Sequence, residues 1–229
     1  FTPPDRADSL AGEWTQALPA PPEIDGAAGN TFRWRFRGKS YRLLWGFDSE
    51  ADGKRYLRML DALEARISNK SFPGYILNDH YLGAVHELAD ELLRLYGGEV
   101  DYSFAEYLLA FVQSFPYLSD PDRPTDWPRF PSEFLAHFGG DCEDSSIMLA
   151  CLLARFGFET AFLQMAGHLA VGIAGPYGGF YYEREGVKYY YAETATAGSY
   201  KPLGSQSELA GPAEVLPYPG NRVPGQSPV

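Results

Sequence analysis

Only two cysteines, Cys142 and Cys151, occur in the 229 residues. Their surroundings read as one helix, and nine residues of helix separate two Cα atoms by about 13 Å. A disulfide needs less than about 7 Å, so the two cannot pair, and a disulfide framework is excluded. Long apolar runs are missing as well: nothing approaches the roughly 20 residues that span a bilayer, and the chain is expected to be soluble. Positive charge is scarce, with 19 Lys and Arg against 30 Asp and Glu and a formal net charge of −11. An acidic surface of this kind repels phosphate backbones, which argues against nucleic acid as a partner. There is no initiator Met before Phe1-Thr-Pro-Pro. The chain is therefore expected to be a mature or excised fragment, with any signal peptide or membrane tether outside it.

What is present suits one well-cored domain: 45% of residues are hydrophobic and 15% aromatic. Residues 1–30, with five prolines and scattered Gly and Ala, read as an irregular lead-in. Across 31–47, apolar and basic residues alternate around Gly38, which predicts a β-hairpin. A helical part is expected over 54–156. Apolar residues recur at helical spacing over 54–68 and 82–96, the latter stopped by Gly97-Gly98. Further helices are predicted over 103–115 (capped by Ser103), 132–138 and 142–156, with a proline-punctuated loop at 116–131. From 158 to 204 the character changes to aromatic and β-branched runs separated by glycines: 160–165, 169–174, 180–183 and 188–194. That predicts an antiparallel sheet. Residues 206–229, rich in Pro, Gly and Ser, read as a tail. Helices first and sheet second define an α+β domain over 31–205.

The chemistry centres on Gly139-Gly140-Asp141-Cys142-Glu143-Asp144. Asp141 is a good N-cap, and Asp144 three residues later completes a capping box, so Cys142 falls at the first position of a helix. The helix dipole favours thiolate there, while the carboxylates at 141, 143 and 144 oppose it, so activation requires an imidazolium nearby. Context alone leaves a nucleophile and an inert small side chain both open for Cys142. Cys151, inside Leu149-Ala-Cys-Leu-Leu, reads as core.

Of four histidines, His80, His86 and His137 sit in or beside helices and read as surface or packing residues. His168 stands between Gly167 and the strand Leu169-Ala-Val-Gly-Ile. Strand alternation puts His168 on one face with Ala170 and Gly172, whose small side chains would let a helix end approach. The third partner should accept from the other imidazole nitrogen. No Asp follows Asp144, so a Glu is required. Glu193 ends a strand, whereas Glu183 and Glu185 occupy what reads as an exposed turn. His168 and Glu193 can meet only if the strand over 188–194 lies antiparallel beside 168–174.

Three blocks, Gly139-Gly-Asp-Cys-Glu-Asp-Ser-Ser-Ile-Met-Leu-Ala, Gly167-His-Leu-Ala-Val-Gly and Tyr191-Ala-Glu-Thr, resemble the active-site blocks of the transglutaminase-like superfamily, in its small bacterial and archaeal form. Phe111-Val-Gln113 and Arg129-Phe-Pro131 also fit, so the resemblance covers about residues 80–205. It implies a papain-like fold in which the Cys142 helix packs on the sheet bearing His168 and Glu193. The one departure is Glu193, where transglutaminases proper commonly use Asp. The implied reaction is cysteine-dependent acyl transfer on amide bonds through a thioester, ending in peptide hydrolysis or transamidation of a protein or peptide substrate. The Cys142 N–H and Gln113 are candidate oxyanion donors.

No cofactor is expected. A metal site on Asp141, Glu143, Asp144 and His168 matches no structural zinc spacing, so no metal is expected either. The rival reading is a catalytically inactive domain of this fold acting as a binding or scaffold module. The proline-rich ends and acidic surface suggest an extracytoplasmic location, secreted or membrane-anchored.

Overall fold

The computed structural model describes residues 30–45, 71–119, 128–196 and 199–218. The helix expected over 54–68, most of the lead-in and the last part of the tail lie outside them. Helices precede an antiparallel sheet, with one hairpin ahead of both, so the chain is α+β.

Strands β1 (Asn30–Phe36) and β2 (Lys39–Trp45) pair antiparallel with Phe36 opposite Lys39. Only Arg37 and Gly38 remain for the turn, and both have positive φ, 48° and 76°. That is the twist a two-residue hairpin turn requires. Alternation sends Phe32, Trp34 and Phe36 into the core, where the Trp34 ring lies 5.0 Å from that of Phe111.

Five helices follow among the described residues. The first, α1 (Phe72–Leu77), lies within the helical part expected over 54–156. Here Pro73 opens the helix, and Ser71 caps it by accepting from the Gly74 N–H. Helix α2 (Leu82–Tyr96) ends on Gly97, which is left-handed at φ 71°. Helix α3 (Tyr102–Val112) is capped by Asp101 rather than Ser103. Asp101 is the residue with extended backbone, and its carboxylate accepts from the Phe104 N–H at 2.8 Å. After α4 (Pro131–His137) comes α5 (Cys142–Arg155), whose Ile147, Met148, Leu149, Leu152 and Leu153 are fully buried. Each such side chain contributes about 1.5–3 kcal/mol, which makes α5 the central pillar of the core.

The sheet comprises β3 (Thr160–Met165), β4 (His168–Ala174), β5 (Tyr181–Arg184), β6 (Val187–Ala192) and β7 (Glu214–Tyr218), in the order β5-β6-β4-β3-β7. Strand β4 is central and pairs antiparallel with β6, the arrangement that a meeting of His168 and Glu193 demands. The intervening β5 pairs with the outer edge of β6. The expected tail needs correction. Residues 214–218 run antiparallel to β3, Thr160 opposite Tyr218 and Gln164 opposite Glu214. Pro217 hid this strand; Pro is tolerated there because β7 lies at the sheet edge.

The two faces of the sheet are covered differently. Phe162, Leu169, Val171 and Ile173 join the helical core, while Leu163, Met165, Ala170 and Tyr191 form a second cluster under Phe180, Tyr182, Ala210 and Val215. The small-residue face of β4 therefore does not receive a helix end, as its composition had suggested. Its space is taken by tyrosines: a Cβ on Gly172 would lie 2.6 Å from that of Tyr189. Helix α5 packs on the opposite face and reaches the His168 end of the strand from there.

Candidate active site

The β4–β6 ladder ends at Val171 opposite Ala192, and the chain then leaves the sheet over 193–196. The first turn of α5 fills this opening. Ser146 Oγ donates to the Leu169 carbonyl at 3.1 Å, and the hydroxyls of Ser145 and Ser146 lie 2.9 and 3.0 Å from that of Thr194. The strand edge thus finds its missing hydrogen-bond partners on the helix, which fixes the helix end against β4.

Asp141 is the N-cap of α5 as expected, accepting from the N–H groups of Glu143 (3.0 Å) and Asp144 (3.3 Å). Asp144 reciprocates by accepting from the Asp141 N–H at 3.2 Å. Asp144 is also buried against Arg129, accepting from its backbone N–H at 2.6 Å and pairing with its guanidinium. The Arg129-Phe-Pro block therefore anchors the helix end on the preceding loop, and Pro131 opens α4.

Cys142 occupies the first turn of α5 and is half-buried. Burial is the largest influence on it and, with the Asp141 and Glu143 charges, pushes the thiol up to about 11 against the pull of the Leu169 and Cys142 N–H groups. At rest the group is a thiol rather than a thiolate. Cys151 is buried within α5 and pushed further up by that burial, an inert core residue.

His168, the residue before Leu169, opens β4 and is buried. Its Nε2 lies 3.2 Å from Glu193 Oε2, which assigns Nδ1 to the other side of the ring. Glu193, almost fully buried just past β6, also accepts from the Ala195 N–H at 3.1 Å and the Tyr191 hydroxyl at 2.6 Å. Burial, the largest single influence, would raise this carboxyl; the bonds from His168, Tyr191 and Ala195 outweigh it and hold the carboxyl below its ordinary value. Tyr191 carried no signal in a strand already rich in tyrosine.

The other histidines lie elsewhere. His80 stands edge-on to Tyr81, His86 is half-buried on α2, and His137 at the exposed end of α4 lies 3.7 Å from Glu133. Gln113, the candidate oxyanion donor, is engaged differently. Its Nε2 donates to the carbonyls of Glu193 (2.7 Å) and Lys201 (2.9 Å), and its Oε1 accepts from the Lys201 N–H at 3.2 Å. Both amide hydrogens are used, so Gln113 clamps the segment that carries Glu193 and has no hydrogen left for an oxyanion.

A small cleft opens beside this helix end, lined by Phe115, Tyr117, Gly140, Ser145, Thr194 and Thr196 among others. Among the described residues, no three His, Cys, Asp or Glu side chains are grouped to hold a metal ion, and no helix is long and apolar enough to cross a membrane.

No family model matches the chain, and no curated protein matches it. Among solved structures, calcium-bound LapG of Legionella pneumophila aligns with 70% of this chain and 81% of its own, at 17% identity and a TM-score of 0.37.

Proposed function

We propose that the chain is a papain-like cysteine enzyme of the transglutaminase-like kind, acting on amide bonds of protein or peptide substrates. The observation that carries this is the buried contact of 3.2 Å between His168 Nε2 and Glu193 Oε2. The helix that begins at Cys142 is fastened to the residue after His168 by the Ser146 Oγ bond to the Leu169 carbonyl at 3.1 Å. Nucleophile, base and orienting acid are the three roles that acyl transfer needs, in the chain order Cys, His, Glu.

A thiol at about 11 is almost wholly protonated at neutral pH, so it needs its base during attack. His168 Nδ1 takes the thiol proton as sulfur adds to the amide carbonyl. Glu193 keeps the remaining proton on Nε2 and stabilises the imidazolium that forms. The oxyanion accepts from the Cys142 N–H, which at the first turn has no partner within the helix. Collapse of the tetrahedral intermediate breaks the C–N bond, and the imidazolium returns its proton to the departing amine. Water then releases an acid from the thioester, or an amine forms a new amide; both outcomes use the same residues. An extracytoplasmic site of action is part of this proposal.

The test is iodoacetamide labelling against pH, with modified cysteines located by mass spectrometry, on wild type and His168→Ala. Labelling of Cys142 at neutral pH that is lost in the variant supports the pair. Equal, alkaline-only labelling in both would sink the enzyme and leave the domain as a binding or scaffold module.

A further inference from the structure

Glu193 is not the end of its hydrogen-bond chain. Its Oε2 accepts from Tyr191 Oη at 2.6 Å, and the same hydroxyl lies 3.4 Å from His168 Nε2. Tyr191 lies on the small-residue face of the sheet near the end of β6, and Glu193 follows just past the strand. On that face the phenol ring is fixed among Leu163, Met165 and Ala170, with Phe180 and Tyr182 at 6.0 and 6.4 Å between ring centres. Its backbone is held on both sides, the N–H donating to the Phe180 carbonyl and the carbonyl accepting from the Gly204 N–H at 2.8 Å.

A hydroxyl carries one hydrogen and an ionised carboxylate only accepts, so the single hydrogen of Tyr191 points to Glu193. We propose that Tyr191 is a positioning residue of the site: a donor fixed in the second apolar cluster that holds and stabilises the ionised form of the carboxylate facing His168. Burial, then the bond and charge of Glu193, hold the Tyr191 phenol well above its usual range, so it stays a donor through physiological pH. The titratable groups facing Tyr191 are His168 from β4, Tyr182 from β5 and Glu193 after β6. The carboxylates of Asp141 and Glu143 lie on the first turn of α5 with Cys142.

This inference rests on the Cys142–His168–Glu193 reading for its role in catalysis, but its physical content can be read without it. The experiment is the carboxyl ¹³C titration of Glu193 by NMR in wild type and Tyr191→Phe, together with Cys142 alkylation in the same proteins and in Glu193→Gln with and without Tyr191→Phe. Removing the Tyr191 hydroxyl takes a donor from the carboxylate, so its titration moves to higher pH in Tyr191→Phe. Alkylation at neutral pH falls about tenfold in Tyr191→Phe, the effect of one lost bond of about 1.4 kcal/mol. It does not fall further when Tyr191→Phe is added to Glu193→Gln. An unmoved Glu193 titration in a folded Tyr191→Phe protein overturns the positioning role. A moved titration with Cys142 unreactive in every protein, wild type included, keeps that role and overturns the enzyme instead.

Discussion

Gln113 Nε2 donates to the carbonyl oxygen of Glu193 at 2.7 Å across eighty residues of sequence. Together with its two bonds to Lys201, this makes one buried amide the fastening between the end of α3 and the segment that carries the acid of the site. Gln113→Ala leaves three backbone groups without partners. It is expected to destabilise the protein by about 2–3 kcal/mol, the range for buried hydrogen bonds lost together. Urea unfolding measures this. An oxyanion donor would instead show a large loss of rate with stability intact.

The raised thiol of Cys142 sets a second expectation. In His168→Ala, alkylation should follow a group near 11, rising steadily through the alkaline range. In wild type, labelling at pH 7 should exceed that of the variant by about tenfold or more, the lower end of what a positioned base contributes. Cys151 serves as the internal control and stays unlabelled while the protein is folded.

Glu193 links the site to acid stability. Its carboxyl is held below the ordinary value, so the folded state binds this proton less readily than the unfolded chain. The resulting stabilisation is present in full above the unfolded carboxyl value of about 4.3 and is lost as pH falls through the depressed folded value. Glu193→Gln should flatten that acid limb in urea unfolding measured from pH 6 to pH 3. An unchanged limb would show that the acid transition belongs to other carboxylates.

Arg129 and Asp144 form a buried ion pair that joins the loop before α4 to the cap of α5. Arg129→Ala leaves the carboxylate buried without its cation and should destabilise the protein by about 3 kcal/mol or more. Replacing both residues with apolar ones of similar volume should cost less than the single change. A double-mutant cycle by thermal unfolding separates the two.

Much of this geometry was legible because local chemistry and long-range packing agree. Asp141 and Asp144 announced a capped helix with Cys142 at its first position, and the alternation around Arg37-Gly38 announced the hairpin. The pairing of β6 with β4 followed from requiring His168 and Glu193 to meet. The rest was hidden for identifiable reasons. Pro217 disguised β7. A helical glutamine at position 113 says nothing of what it clamps eighty residues on. Tyr191 acts through a hydroxyl that meets its partner, the Glu193 carboxylate, only once the chain turns out of β6. The small face of β4 suggested an approaching helix, and the tyrosines of its neighbour fill that space instead.

Chain order gives the molecule a temporal logic. A chain synthesised as far as residue 160 contains the whole of α5 with its thiol, yet neither His168 nor Glu193. Strand β7, which pairs with β3, comes later still. The thiol thus precedes its base and its acid in synthesis, with only the carboxylates of its own helix end beside it until residue 168 has been made.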